Sequence, residues 1–274
     1  VLGQAVDPVL VGAGDIASCR LPYDEQTAKL LDEIEGTVFT VGDNVYPNGT
    51  LEEFQQCYDP SWGRHKKRTW PTLGNHDYNT RAAAGYFEYF GKRAKPQGTT
   101  YYSYDLGTWH IIALNSNIDA RSEGFQGQWL KADLEAHRTR CTLVYFHHPL
   151  FSSQEYNTLT RLKRFWDVLY EYGVEVIVNG DAHYYERFMP QTPDGTPDPE
   201  RGIRQFIVGT GGATLLRQMG TRVLPTSEVR DNSTHGVIKF TLHADSYSWE
   251  FVPVEGGTFC DAGSAPCFSP DEAQ

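Results

Sequence analysis

The chain has 274 residues, 39% hydrophobic and 13% aromatic, enough for one large core or two small ones. Its formal net charge of -11 argues against a nucleic-acid backbone or an anionic membrane as partner, because both reward basic surfaces. No apolar run approaches the roughly 20 residues that span a bilayer, and an anionic substrate would need local cations to reverse the repulsive field.

Apolar runs of strand length recur along the chain. In order they are Val9–Ala13 and residues 37–41, 109–114, 142–146, 174–178, 205–208, 237–242 and 248–252. Several are rich in Val and Ile without alternation, which predicts strands covered on both faces. Helix-period segments lie between them. Residues 26–34 place Ala28, Leu31 and Ile34 on one side, with Gly36 as a stop. Residues 124–137 present Phe125, Trp129, Leu130 and Leu134 behind Ser122 as a cap, and residues 160–172 carry Leu162, Phe165, Trp166 and Leu169. Beyond residue 200 only strands and Gly-rich turns remain. This order predicts one layered α/β domain over residues 1–274, with mixed sheets flanked by helices. Residues 189–202 form a Pro/Gly/Asp loop too polar to pack, a rim over a site or a surface excursion.

Cysteines stand at 19, 57, 141, 260 and 267. Cys260 and Cys267 bracket a short Gly/Pro stretch, and Cys19 and Cys57 each lie close behind a polar motif. Two disulfides with Cys141 left as a buried thiol account for all five and imply a secreted or periplasmic setting; five reduced thiols are the alternative. The start at Val1 rather than methionine suggests a removed leader or a trimmed end.

Polar motifs collect at the carboxyl ends of the strands, where open α/β sheets build their sites. "VGAGDIA" delivers Asp15, "FTVGDNVYPNG" delivers Asp43 and Tyr46, and "PTLGNHDY" delivers Asn75, His76 and Asp77. "LVYFHHP" ends in His147 and His148, and "VIVNGDAH" in Asp181 and His183. Any one of these reads equally well as a polar turn. Five strand ends that all supply Asp, Asn, Tyr or His point instead to a metal centre, and oxygen and imidazole donors without thiolate suit iron, manganese or zinc. The donors are too many for one ion, and a carboxylate such as Asp43 can bridge two. Two ions about 3.5–4 Å apart serve phosphoryl transfer. The "RHKKR" run at 64–68 reads as solvated surface that could help draw in anions, and "GTGGA" at 209–213 as a tight turn beside the site.

In this order the motifs resemble those of the calcineurin-like metallophosphoesterases, and within them the purple acid phosphatase branch, marked by Tyr46 in "GDNVY". The resemblance runs from residue 15 to 187 through "GNHD", "HHP" and "GDAHYYER". It implies a sandwich of two mixed sheets with a dinuclear centre at the strand ends. One ion, ferric in this branch, would take Asp15, Tyr46 and His183, with Asp43 bridging. The second, a divalent iron, zinc or manganese, would take Asp43, Asn75, His147 and the residue at position 181. There the family pattern has histidine and this chain has aspartate, so Asp181 is either a ligand or a solvent-facing group beside a weakened second site. Ala17 also departs from the pattern's glycine.

The resemblance further implies that His76 contacts the phosphoryl group and assists the leaving oxygen, with Asp77 orienting it. His148 packs or hydrogen-bonds nearby, and Tyr156 falls where relatives place a substrate-contacting histidine. The implied activity is hydrolysis of small phosphate monoesters by a metal-activated hydroxide, in a monomer with no nucleic-acid or membrane partner. A phosphodiesterase, or a non-catalytic phosphate- or metal-binding protein disabled at Asp181, is the alternative.

Overall fold

The structure is a computed structural model and describes residues 7–137, 141–154 and 160–268. The apolar runs become strands. The first are β1 (Val9–Ala13), β2 (Ala17–Ser18), β3 (Thr37–Thr40), β4 (Val45–Tyr46) and β5 (Thr69–Pro71). There follow β6 (Tyr102–Leu106), β7 (Trp109–Ala113), β8 (Cys141–Tyr145), β9 (Val176–Asn179) and β10 (Tyr185–Phe188). The last are β11 (Arg204–Val208), β12 (Ser227–Asp231), β13 (Gly236–Leu242), β14 (Ser246–Pro253) and β15 (Ala262–Pro266). Six strands form one sheet in the order β15-β14-β13-β1-β3-β5, and seven form another in the order β12-β10-β11-β9-β8-β7-β6. Both are mixed. β1, β3 and β5 run parallel, as do β7, β8, β9 and β11, while β13 and β10 join them antiparallel.

The two-residue period of a strand explains the unbroken apolar runs. Ile111, Leu143, Tyr145, Val176 and Val178 enter the core shared with the first sheet, where Phe39 meets Tyr145 and Phe206 meets Phe240. Ile112, Val144, Phe146 and Ile177 point the other way, onto Leu130 and Leu134 of the helix Phe125–Ala136 and Phe165, Trp166 and Leu169 of the helix Lys163–Glu171. Each large side chain buried there contributes about 1.5–3 kcal/mol. After Glu171 the described residues are strands and turns.

Four expectations need correction. The first helix begins earlier, at Tyr23, directly after Pro22, and runs to Glu33. Phe125 is 90% exposed, because the helix Phe125–Ala136 turns Gln126 inward instead. The Gln126 amide serves both backbone groups of Asn115, accepting from its N–H at 2.8 Å and donating to its carbonyl at 3.0 Å. Ser122 does not cap that helix, whose N-cap is Gly124. Finally, the disulfides are Cys19–Cys57 and Cys141–Cys267, leaving Cys260 an exposed thiol. The stretch between Cys260 and Cys267 is an edge strand, β15, rather than a loop. An extended chain of that length holds its ends about 20 Å apart, far beyond disulfide reach.

Candidate metal centre

The turns that follow β1, β3, β5, β8 and β9 meet at one rim of the sandwich. Asp15, Asp43 and Asp181 lie just past their strands with left-handed φ angles of 58°, 48° and 67°. That conformation costs an L-residue roughly 1 kcal/mol or more, although Asp tolerates it better than most, and it folds the carboxylate back over the strand end. Gly74 is required by close approach: a Cβ there would stand 2.1 Å from Asp43 Oδ1 and 2.2 Å from its backbone nitrogen.

Asp43 stands between two groups of donors. Its Oδ2 accepts from the Tyr46 hydroxyl at 2.9 Å, and that hydroxyl also lies 2.7 Å from Asp15 Oδ1 and 3.1 Å from His183 Nε2. His183 Nε2 is 3.2 Å from Asp15 Oδ1. On the other side, Asp43 Oδ1 is 3.5 Å from His147 Nε2. His147 Nε2 is in turn 3.0 Å from Asn75 Oδ1 and 3.5 Å from Asp181 Oδ1. Ligands on a first-row ion with bonds near 2.0–2.2 Å lie about 2.8–3.6 Å from one another, so both groups have the spacing of a coordination shell. The second nitrogens of both imidazoles are held by backbone: His147 Nδ1 donates to Val41 O and His183 Nδ1 to Thr214 O, each at 2.8 Å. This leaves both Nε2 atoms turned inward, the arrangement usual for ligating histidines.

The electrostatics of this cluster fit a cation. Burial opposes charge on His147, but Asp43 and Asp181 outweigh it and push the imidazole well above its usual range. His183 is likewise pushed up to about 9, burial being overcome by the Asp15 carboxylate. Asp181 is pulled down to about 2, because its bond to His147 overrides partial burial. Burial and the charges of Asp15 and Asp43 push the Tyr46 phenol far up. The imidazoles thus stand where cations would, and a bound metal reverses these preferences and favours tyrosinate.

The other expected residues fall as follows. His76 is half-exposed at the rim; its backbone N–H donates to Asp43 Oδ1 at 2.7 Å, and its Nδ1 lies 2.7 Å from Pro47 O. Asp77 does not orient that ring. It is fully buried beneath the turn, accepting from Gly74 N at 2.8 Å and Asn44 Nδ2 at 3.0 Å, and burial with the neighbouring Asp43 pushes it up to about 7. Its role is to fold the turn that presents Asn75. His148 is buried with Nδ1 2.8 Å from Ser116 Oγ; burial and His147 hold it down to about 3, hence neutral. A nitrogen of His148 nevertheless lies within 4.8 Å of ligand atoms of His147 and Asp181. Tyr156 lies outside the described residues.

The basic run is not at the centre. Arg64 pairs with Glu25 and Asp32 along the flank of the helix Tyr23–Glu33, and Arg68 donates to the carbonyls of Ile34 and Gly36 just past its end. "GTGGA" packs against the first motif, with Gly211 N bonded to Gly14 O and Ala213 N to Asp15 O. Glu186 accepts from Tyr184, Ser153 N and Ser227, while Arg187 pairs with Asp261. Beside Asp181 and His183 lies a cleft of about 640 Å³ walled by Gln154, from the expected rim loop 151–158, and by residues 214–218, which sequence reasoning missed. The only available signal was their position after the Gly-rich turn.

Strand ends that converge in this way on a two-part donor cluster define a metallophosphoesterase fold. A family model described as calcineurin-like phosphoesterase matches residues 10–185, and the chain belongs to that family. Among curated proteins it is similar to Purple acid phosphatase 23 of Arabidopsis thaliana, 29% identical over 61% of this chain and 40% of that protein. Purple acid phosphatase 21 of the same plant is 28% identical over 86% of this chain and 58% of its own length. The chain therefore spans about half the length of the curated relatives it matches. Its fold matches the purple acid phosphatase PPD1 from yellow lupin seeds with a TM-score of 0.75 at 18% identity, over 98% of this chain and 55% of that one. GAP50, titled the anchor in the inner membrane complex of Plasmodium, matches at 0.74 and 14% identity, covering 97% and 90%.

Proposed function

We propose that the protein is a dinuclear metallophosphatase acting on small phosphate monoesters. The observation that carries this reading is the division of Asp43, whose Oδ2 faces Asp15, Tyr46 and His183 while its Oδ1 faces His147 and its neighbours. Asp15, Tyr46 and His183 would hold a ferric ion, and Asn75, His147 and Asp181 a divalent iron, zinc or manganese. A bound pair of ions supplies charge to offset the phosphoryl oxygens and lowers the pKa of water toward 7.

The chain's own residues then bind and move protons. Asn75 and His76 line the rim where a phosphoryl group would lie. With Nδ1 committed to Pro47 O, His76 would present Nε2, 3.9 Å from Asp43 Oδ2, as the group that hands a proton to the departing alkoxide, a contribution of about 10²–10⁴-fold. Two disulfides support an extracytoplasmic setting. The net charge of -11 gives no support to nucleic acid as a partner. Metal analysis with p-nitrophenyl phosphate turnover tests the reading: about two ions per chain and turnover abolished by chelation are expected. A chain that binds two ions and phosphate without turnover would make it a binding protein instead. Absorption in the visible from a tyrosinate charge-transfer band, lost in Tyr46→Phe, tests the ferric site.

A further inference from the structure

Far from the strand-end rim, a second group of donors meets at the other end of the seven-stranded sheet. His110 is the second residue of β7, and roughly 15 Å of strand separates it from Asn115 near the rim. Its Nε2 lies 2.8 Å from Asp133 Oδ2, and its Nδ1 lies 2.9 Å from Asp105 Oδ1. Asp133 and His137 stand one turn apart at the end of the helix Phe125–Ala136, with His137 Nδ1 3.4 Å from Asp133 Oδ1. His137 stacks on the His110 ring at a centroid distance of 4.4 Å. One ligand atom from each of His110, Asp133 and His137 lies within 4.8 Å of the others.

We propose that His110, Asp133 and His137 form a site for a borderline divalent cation of the zinc class, separate from the strand-end centre. Two imidazoles and a carboxylate are donors that zinc accepts. Supporting residues are in place. Asp105 accepts from His110 Nδ1 and so turns Nε2 toward Asp133, while the Ser103 hydroxyl donates to Asp133 Oδ1 at 2.7 Å. His110 is buried and His137 exposed, giving the ion a dry seat with one open side that water can fill as a fourth ligand.

On binding, the proton shared by His110 Nε2 and Asp133 passes to solvent, and those two atoms, 2.8 Å apart, already stand at the near end of the spacing of ligands on one ion. His137 leaves its 2.8 Å contact with the Asp133 backbone oxygen and turns out of its stack on His110, because two parallel rings cannot both aim an in-plane lone pair at one ion. The ion would fasten the last turn of the helix to the β6–β7 hairpin at the sheet edge.

Equilibrium dialysis of the full chain against zinc buffered at micromolar concentration tests this, with zinc per chain measured for the native protein, His137→Ala and Asp105→Asn. The native protein should hold one more equivalent than His137→Ala, with equal p-nitrophenyl phosphate turnover in both. Asp105→Asn should bind that equivalent about 10–100-fold more weakly. Zinc should raise the urea midpoint of the native chain further than that of His137→Ala, in which only the strand-end centre binds it. Equal zinc content in native and His137→Ala chains would overturn the proposal and leave a purely ionic His110–Asp133 contact.

Discussion

Replacing Asp181 with glycine isolates its role at the second donor group. Glycine accepts the left-handed φ of 67° without strain, and the backbone N–H that donates to Asp15 Oδ2 at 3.0 Å remains. Only the carboxylate is lost, 3.5 Å from His147 Nε2. A four-ligand zinc site is worth about 10–16 kcal/mol, so one ligand of four accounts for about 2.5–4 kcal/mol. Affinity for the second ion should therefore fall roughly 10²–10³-fold, with turnover falling in step at limiting metal. The first group, Asp15, Tyr46 and His183, keeps its spacing, so the tyrosinate band should persist. The assay is a zinc or manganese titration followed by metal content and by visible absorption. Second-ion affinity equal to that of the native chain would refute ligation by Asp181. Loss of both ions together would refute it too, by making Asp181 only a support for Asp15.

Gly74→Ala should abolish binding of both ions while leaving the chain folded, because its Cβ would displace the Asp43 carboxylate; metal content with far-ultraviolet circular dichroism checks this. Glu175 is buried beside β8, accepting from Thr142 N at 2.6 Å, and burial pushes it up to about 8. Between the ordinary carboxylate range and that value the unfolded chain binds fewer protons than the folded one. Stability should therefore fall as pH rises from 5 to 8, by on the order of 1.4 kcal/mol per pH unit. Glu175→Gln should flatten that slope in urea denaturation; an unchanged slope would exclude Glu175 as its source. Trp166→Ala, in the core under the second sheet, should cost about 3–5 kcal/mol in the same measurement without changing metal content.

How much of this was readable in the sequence differs from element to element. The strands were, because Val and Ile runs such as residues 174–178 must be covered on both faces, and both faces are. The donors at the strand ends were, because Asp, His and Asn recur at one structural position. The helix Ala84–Phe90 was not: it is entered through Ala82 and Ala83 with φ angles of 54° and 53°, and no residue type there announces a left-handed turn. The face of the helix Phe125–Ala136 was misread because a hydrogen-bonding Gln126 displaced an apolar Phe125, which periodicity alone does not weigh. Cys141 finds Cys267 only once both sheets are assembled, across 126 residues. Asp77 and His76 are neighbours in sequence, yet a tight turn sends one inward and the other out.

The order of the strands has a bearing on how the protein is made. Every donor of the rim has been translated by His183, yet the segment from Val208 to Thr214 packs against both Asp15 and His183. It bonds to Gly14, to the Asp15 carbonyl and to His183 Nδ1. β13, later still, is the strand that flanks β1. A nascent chain ending near residue 185 would carry all seven donor side chains without the backbone that aligns them. Ions held at this rim would therefore find their ligands aligned only once residues 208–242 have been made.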